Sequence, residues 1–146
     1  MSRLLIQTDE QGRKYIADHF EYTAYVATLA SGATSTSQIQ VEADADFVWT
    51  RTMYFADIGG APQTSDDRVI PLVAASITDT GSGRNLQNRA LPLATMAGHE
   101  GLGFNLYIPR VFRANSNIQV TMSNYSDATT YNNIFLVFSG YKKFFM

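Results

Sequence analysis

The sequence predicts an all-β protein, a jelly-roll-like β-sandwich of about eight antiparallel strands. Three observations support this fold class. Residues that favour strands, chiefly Val, Ile, Thr, Tyr and Phe, are abundant, whereas the helix formers Glu and Lys number only four and three. Polar and apolar side chains alternate with a period of two in several segments. Turn signals that contain glycine separate these segments at short intervals, as is typical of sandwiches and barrels.

Eight segments carry the strand pattern. In chain order they are 20–29, 38–41, 47–55, 69–78, 89–95, Phe104–Phe112, Asn117–Asn124 and 134–138. The clearest is Asn117–Asn124, where Ile118, Val120 and Met122 alternate with polar neighbours. Pro71 places the start of its strand at an edge or a bulge. Residues 134–138 are apolar on both faces, which predicts a central strand that is covered on both sides.

Segment 47–55 is predicted to point its side chains alternately to the two faces of a sheet. One face would carry Phe47, Trp49, Met53 and Phe55, and the other Val48, Thr50, Thr52 and Tyr54. Arg51 interrupts the first face. We therefore expect that face to reach an edge or an interface at this residue.

Residues 1–18 differ in composition from the rest and predict an N-terminal arm, with the β-sandwich domain over residues 19–146. The arm is polar and of mixed charge except for one apolar run. Arg3, Leu4, Leu5 and Ile6 are the candidate contacts with a partner. We expect this run to dock on a neighbouring protein and to become ordered on assembly. The apolar end 141–146 serves either assembly or the last strand of the sandwich.

Composition and charge exclude several classes of protein. The 146 residues include no Cys, so a disulfide framework and a thiolate metal site are excluded. A net charge of −2 does not favour direct nucleic-acid binding. No apolar run predicts a membrane helix or a secretory signal, and we expect synthesis in a cytoplasm. Residues 1–79 carry a net charge of −6 and residues 80–146 one of +4, which would polarise the molecule if the two halves formed separate faces.

Motifs for chemistry are weak, and we predict no catalytic residue, no cofactor and no metal. The two histidines, His19 and His99, lie in no nucleophile motif, and His99 sits in a glycine-flanked turn that is typical of a solvent-facing loop. The acidic pairs at 44 and 46 and at 66 and 67 do not match a calcium loop. Ser, Thr, Asn and Gln supply 40 of the residues, a composition that suits hydrogen-bonded contact with a protein partner.

The C-terminal third contains three linked stretches, 106–112 (LYIPRVF), 114–120 (ANSNIQV) and 134–142 (IFLVFSGYK), with Asn124 between the last two. This pattern resembles the small cement or decoration proteins on the heads of tailed bacteriophages. The resemblance covers about residues 104–143 and implies a jelly roll that forms a homo-oligomer, a dimer or trimer. It also implies a virion structural protein that binds the outside of the major capsid protein shell and stabilises the shell against internal DNA pressure, without contact with nucleic acid or membrane.

Two alternatives remain open from the sequence. The first is a tail, collar or receptor-binding component of the virion, where aromatic side chains could bind sugar. The second is a small hydrolase or glycan-binding sandwich domain, which would need His99 or an acidic pair in a concave site. A capsid cement protein predicts many copies per particle, whereas the alternatives predict few copies or turnover that His99→Ala abolishes.

Overall fold

A computed structural model of the chain describes residues 5–59, 69–99 and 103–146. The described residues form eleven strands: β1 (Leu5–Thr8), β2 (Lys14–Leu29), β3 (Thr34–Gln40), β4 (Asp46–Ile58), β5 (Val73–Asp79), β6 (Arg84–Asn85), β7 (Leu91–Pro92), β8 (Gly98–His99), β9 (Phe104–Phe112), β10 (Asn117–Asn124) and β11 (Tyr131–Phe145). A single helical turn, α1 (Leu93–Met96), lies between β7 and β8. The described part of the chain contains no helix that could cross a membrane. The predicted all-β class is confirmed.

The strands form two sheets that pack face to face as a β-sandwich. Sheet A has the order β1-β2-β11-β4, and both β8 and β9 pair with the far side of β4. Sheet B has the order β3-β10-β5, and both β6 and β7 pair with β5. Every pairing is antiparallel except the two-residue match of β4 with β8. One apolar core fills the space between the sheets, with Phe47, Phe112 and Phe138 from sheet A and Ile77, Ile118 and Met122 from sheet B.

The strand pairings are nested along the chain. β2 pairs with β11 and β3 with β10, while β4 pairs with β9 inside them. Successive long strands therefore change sheets: β2, β4, β9 and β11 belong to sheet A, and β3, β5 and β10 to sheet B. Both halves of the chain contribute to both layers.

β10 occupies the predicted segment Asn117–Asn124 from end to end. Its apolar side chains are fully buried, and its last residue, Asn124, is also buried. The Asn124 side-chain amide donates to the carbonyls of Leu29 at 2.9 Å and Thr129 at 2.8 Å, and its oxygen accepts the Ser126 N–H at 3.0 Å. Because a buried amide needs such partners, this network fixes the end of β2 and the turn that leads to β11.

The predicted faces of segment 47–55 are correct only as far as residue 50. A β-bulge lies opposite Ser139 and Gly140, where the register of β4 against β11 shifts by one residue. The bulge reverses the alternation, because an extra residue turns every later side chain to the other face. The buried side chains of β4 are therefore Phe47, Val48, Trp49, Thr52, Tyr54 and Ala56, whereas Met53 and Phe55 are only half-buried.

The structure describes the predicted arm, residues 1–18, from residue 5 onwards, as β1, a turn and the start of β2. The boundary between residues 18 and 19 falls within β2, and residues 15–18 pair with the end of β11. β1 then returns along β2 as a hairpin, with Leu5 opposite Ala17 and Thr8 opposite Lys14. The polar composition hid this strand, because a short edge strand of a sheet has no need of an apolar face.

The last predicted strand, 134–138, forms part of the longer β11, which lies centrally between β2 and β4. One face, with Ile134, Leu136 and Phe138, is fully buried, while Phe135 and Val137 on the other face are half-buried and no second layer covers them in the described structure. Residues 141–145 continue the same strand, so the aromatic C-terminal end completes sheet A. Segment 89–95 contains only β7 and then α1.

The opposite charges of the two halves of the chain meet in ion pairs across the fold. Arg110 Nη2 lies 2.9 Å from Asp79 Oδ2, and Lys142 Nζ lies 2.9 Å from Glu42 Oε1 and 3.0 Å from Asp44 Oδ1. Each pair joins a basic residue of the second half to acidic residues of the first. The sequence asymmetry of −6 and +4 is therefore partly neutralised within the sandwich.

Candidate functional site

The predicted partner contact lies at one edge of sheet A. Arg3 and Leu4 fall outside the described residues, whereas Leu5 and Ile6 belong to β1. Leu5 is 54% exposed and Ile6 is 66% exposed, although both are large apolar side chains. We call this pair the β1 surface. It is apolar area that the fold of a single chain leaves in contact with water.

A well-bonded turn holds β1 in place. The Asp9 carboxylate accepts the N–H groups of Gln11 at 3.0 Å and Arg13 at 2.8 Å, and it accepts Arg13 Nε at 3.0 Å. Desolvation acts to raise the pKa of Asp9, but the hydrogen bonds and the charge of Arg13 outweigh it and hold the pKa below its usual range. Gly12 takes a φ of +80° in this turn, which suits glycine.

A groove of about 490 Å³ lies beside β1 on the outer face of sheet A. Most of its lining residues are polar, and the lining comprises Leu5, Gln7, Ala17, His19, Thr50, Arg51, Asn105, Ser139, Gly140 and Tyr141. The groove adjoins the bulge between β4 and β11. Gly140 permits that close approach of the strands, because a Cβ at residue 140 would clash with the Val48 carbonyl oxygen.

The hydroxyl groups near the groove are neutral donors. Burial, together with the neighbouring Tyr15, raises the pKa of Tyr141 above its ordinary value, so its hydroxyl stays protonated at neutral pH. The Tyr15 hydroxyl donates to Gln7 Oε1 at 2.9 Å, which ties β2 to β1. The groove can thus offer hydroxyl, amide and guanidinium donors to a ligand.

The opposite edge of sheet A carries a second exposed apolar feature. In the register of β9 against β4, Arg110 faces Trp49 and Asn105 faces Arg51, so residues 106–109 stand opposite the single residue 50. The excess chain projects from the sheet. At its tip Tyr107 is 99% exposed and Ile108 is 72% exposed. We call these two residues the β9 surface.

The projection is anchored at its base. Arg110 Nη2 donates to Asp79 Oδ2 at 2.9 Å and contacts Ser82 Oγ at 3.1 Å, which joins β9 to sheet B. Ile108 also lines a cleft of about 360 Å³ that opens between the two sheets. The other lining residues are chiefly apolar: Trp49, Ile77, Leu86, Gln87, Leu91, Thr95, Met96 and Leu106. The β9 surface and this cleft form one continuous apolar region.

The two apolar surfaces are separated by the width of sheet A. β1 lies at one edge of the sheet and β9 at the other, with β2, β11 and β4 between them. Four strand spacings correspond to about 19 Å. A single chain therefore presents apolar contacts to two different directions.

The residues considered for catalysis or metal binding do not converge in the described structure. The exposed His19 ring lies 3.1 Å from Glu21, while Asp44 binds Lys142 and Asp46 accepts the Ala114 N–H at 2.9 Å. Asp66 and Asp67 fall outside the described residues, as does the side chain of His99. Over residues 5–59, 69–99 and 103–146, no group of three His, Asp or Glu side chains could hold a metal ion.

Sequence patterns did not reveal the β9 surface. Tyr107 and Ile108 lie in a segment that has the composition of an ordinary buried strand. Their exposure depends on the register of β9 against β4, which is a property of two distant segments. The one local signal was Pro109, since a proline inside a strand often marks an edge or a bulge.

No protein-family model matches this chain, and neither does any curated protein or solved structure. The features that could receive a partner are the β1 surface, the β9 surface and the groove between them.

Proposed function

We propose that this protein is a non-enzymatic structural protein of a virion, a capsid cement or decoration protein that binds the outside of the major capsid protein shell. One observation carries the proposal: the β1 and β9 surfaces lie at opposite edges of the same sheet. A protein that holds a shell together must contact two neighbouring subunits at once. Two separate apolar surfaces on a rigid sandwich satisfy that requirement.

The nested pairing of the strands supports the jelly-roll version of the sandwich. A jelly roll arises when a long antiparallel hairpin rolls up, so that the first strand pairs with the last and the second with the one before it. Here β2 pairs with β11, β3 with β10 and β4 with β9. The strands β6 and β7 against β5 supply the innermost pair. β1 and β8 are additions to that plan.

Charge agrees with a place outside the shell. Cement proteins stabilise a shell against DNA pressure from the outer side, so they need no basic surface for nucleic acid. The net charge of this chain is −2, and part of its basic side chains is used in ion pairs within the fold. The proposed partners are the major capsid protein and further copies of this chain, as a dimer or trimer.

Counting copies in purified particles tests the proposal first. We expect quantitative mass spectrometry to find this chain in a simple ratio to the major capsid protein, at hundreds of copies per particle. A handful of copies would move the protein to a vertex or the tail. Its absence from the particles would overturn the virion role.

Variants then test the two surfaces. We expect Leu5→Ser with Ile6→Ser, and separately Tyr107→Ser with Ile108→Ser, each to weaken co-sedimentation with shells of the major capsid protein by about tenfold or more. Tyr125→Ser is the control, since Tyr125 is an aromatic residue that is 49% exposed and lies in neither surface. If both double variants bind like the control, the bridging mechanism is wrong.

A second candidate function is glycan binding by a receptor-binding or tail component. The observation that favours it is the groove, whose volume suits a small ligand and whose lining includes His19, Arg51, Asn105 and Tyr141. Binding to a glycan array that Arg51→Ala and Asn105→Ala abolish would support this function. Hundreds of copies per particle with no glycan binding would exclude it.

A further inference from the structure

β3 is an edge strand with an unusually regular backbone. Among the described strands it pairs with β10 alone, and the register runs without interruption from Thr34 opposite Ser123 to Gln40 opposite Asn117. Only one side of its backbone can be used in that pairing. The N–H and C=O groups on its other side point away from sheet B.

The other edges of the sandwich carry features that discourage pairing between molecules, and β3 has none of them. β9 contains Pro109, Arg110 and the projection of residues 106–109. β1 has four residues within the described part of the chain, and β6 and β7 have two each. β3, in contrast, runs for seven residues with the sequence TSTSQIQ, without charge, Pro or Gly. Natural proteins usually protect a long flat edge, so an unprotected one indicates a partner.

The face next to this edge is equally free of charge. The outward residues of β3, β10 and β5 are Thr34, Thr36, Gln38, Gln40, Asn117, Gln119, Thr121, Ser123, Ala74, Ser76 and Thr78. Three pairs of them bond between β3 and β10: Thr34 Oγ1 lies 3.0 Å from Ser123 Oγ, Thr36 Oγ1 lies 3.1 Å from Thr121 Oγ1, and Gln38 Nε2 donates to Gln119 Oε1 at 3.0 Å. A strand added at the edge would extend the same pattern.

We propose that β3 pairs with β3 of a second copy of this chain, antiparallel about a two-fold axis at Ser37. In that register Thr36 faces Gln38 of the other copy and Thr34 faces Gln40, so hydroxyls meet amides on the outer face. On the inner face Ser35 covers the half-buried Ile39. The strand is self-complementary and uncharged, so no like charges meet across the axis, which favours a second copy over a charged peptide as the occupant.

The inference names the surface for the self-association that the proposed function includes, but it does not depend on capsid binding. Its tests use the purified full chain without shells. Loss of shell binding would therefore not contradict the pairing of β3 with a second copy. A monomeric protein would likewise not contradict the proposed contacts of the β1 and β9 surfaces with the shell.

Cysteine cross-linking tests the axis directly, because the chain contains no Cys of its own. Residues that face each other in an antiparallel pair have Cα atoms about 5 Å apart, within the range of a disulfide. We expect Ser37→Cys to form a disulfide-linked dimer in mild oxidant. Ser35→Cys is the matched control on the same face of β3, since its two copies would lie about 13 Å apart. Equal cross-linking of both variants, or none, would overturn the proposal.

Added charge tests the same contact without cross-linking. We expect sedimentation equilibrium of the natural chain to show a dimer that dissociates on dilution. Thr36→Lys with Gln38→Lys should weaken this dimer by about tenfold or more, because each new Lys meets a new Lys of the other copy. Thr121→Lys with Gln119→Lys adds the same charge to the same face one strand from the edge and should weaken it less. A chain that stays monomeric at all concentrations, or a dimer that the edge variant leaves unchanged, contradicts the proposal.

Discussion

Sheet A and sheet B differ in size and in surface character: the strands β2, β4 and β11 of sheet A have 16, 13 and 15 residues, whereas β3, β5 and β10 of sheet B have 7, 7 and 8. Sheet A is bulged, carries most of the charged strand residues, and presents aromatic side chains such as Tyr25, Phe55 and Phe135 on its outer face. Sheet B is regular through β3, β10 and β5, and its outer face is neutral and hydroxyl-rich. The two proposals assign different roles to the sheets. The edges of the irregular sheet contact the major capsid protein, and the edge of the regular sheet pairs with a second copy of the chain.

The largest expected effect comes from the bulge of sheet A. Gly140→Ala places a Cβ against the Val48 carbonyl, where no flexible side chain can give way. We expect it to lower the free energy of unfolding by about 3 kcal/mol, the upper end for overpacking. Urea denaturation measures the change.

The matched variant in sheet B is Thr121→Ala, at the centre of the regular β10. Its side chain is half-buried and makes one hydroxyl contact, with Thr36. We expect Thr121→Ala to lower the free energy of unfolding by less than about 1 kcal/mol. If Gly140→Ala lowers the free energy of unfolding no more than Thr121→Ala does, the bulge can adapt to a side chain. In that case the backbone of sheet A is no more constrained than that of sheet B.

The same contrast separates what could be read from the sequence from what could not. The bounds of β10 were predictable because its alternation is undisturbed and its core side is fully apolar. The faces of β4 were predicted wrongly beyond residue 50, since the bulge depends on the approach of Gly140 in a distant strand. Local pattern therefore describes a strand whose alternation is undisturbed and fails where a distant strand sets the register. The bounds of strands do not divide between the sheets in this way, since β9 of sheet A matches its predicted segment and β3 of sheet B starts four residues before its own.

The candidate surfaces follow the same rule. Leu5 and Ile6 were predicted as a contact because an apolar run in a polar segment is visible without any partner strand. Tyr107 and Ile108 were not predicted as a contact. Their exposure arises because residues 106–109 of β9 stand opposite the single residue 50 of β4. The free edge of β3 was equally hidden, since strand order is a property of the whole sheet.

A smaller effect concerns the outer faces themselves. On sheet A the rings of Tyr25 and Phe135 have centroids 4.8 Å apart, and on sheet B Thr78 Oγ1 donates to Asn85 Oδ1 at 2.8 Å. Aromatic pairs contribute more to the stability of the folded chain than exposed hydrogen-bonded pairs do. We expect double-mutant cycles with Ala to give a coupling of about 1 kcal/mol for the aromatic pair and about 0.3 kcal/mol for the polar pair. Equal couplings would mean that the outer face of sheet A is no better packed than that of sheet B.

A further expected effect in sheet A is the dependence of stability on pH. Lys142 on β11 is buried, lies between Glu42 and Asp44, and has its Nζ 4.2 Å from the centre of the Phe20 ring. Desolvation acts to lower the pKa of Lys142, but its hydrogen bonds to the two carboxylates outweigh that effect and raise the pKa above its ordinary value.

Because the pKa of Lys142 is higher in the folded chain than in the unfolded chain, its contribution is complete below about pH 10, near the ordinary lysine value. That contribution is lost as the pH rises through the folded pKa. Lys142→Met should therefore lower the free energy of unfolding by about 1 kcal/mol at neutral pH, since both carboxylates are half-exposed and regain water. The deficit relative to the natural chain should shrink between neutral pH and pH of about 11. Lys14→Met, at an exposed position of β2, is the control and should show a smaller deficit with less change over the same interval. A deficit for Lys142→Met that stays constant with pH would show that the side chain acts by packing against Phe20 and not through its charge.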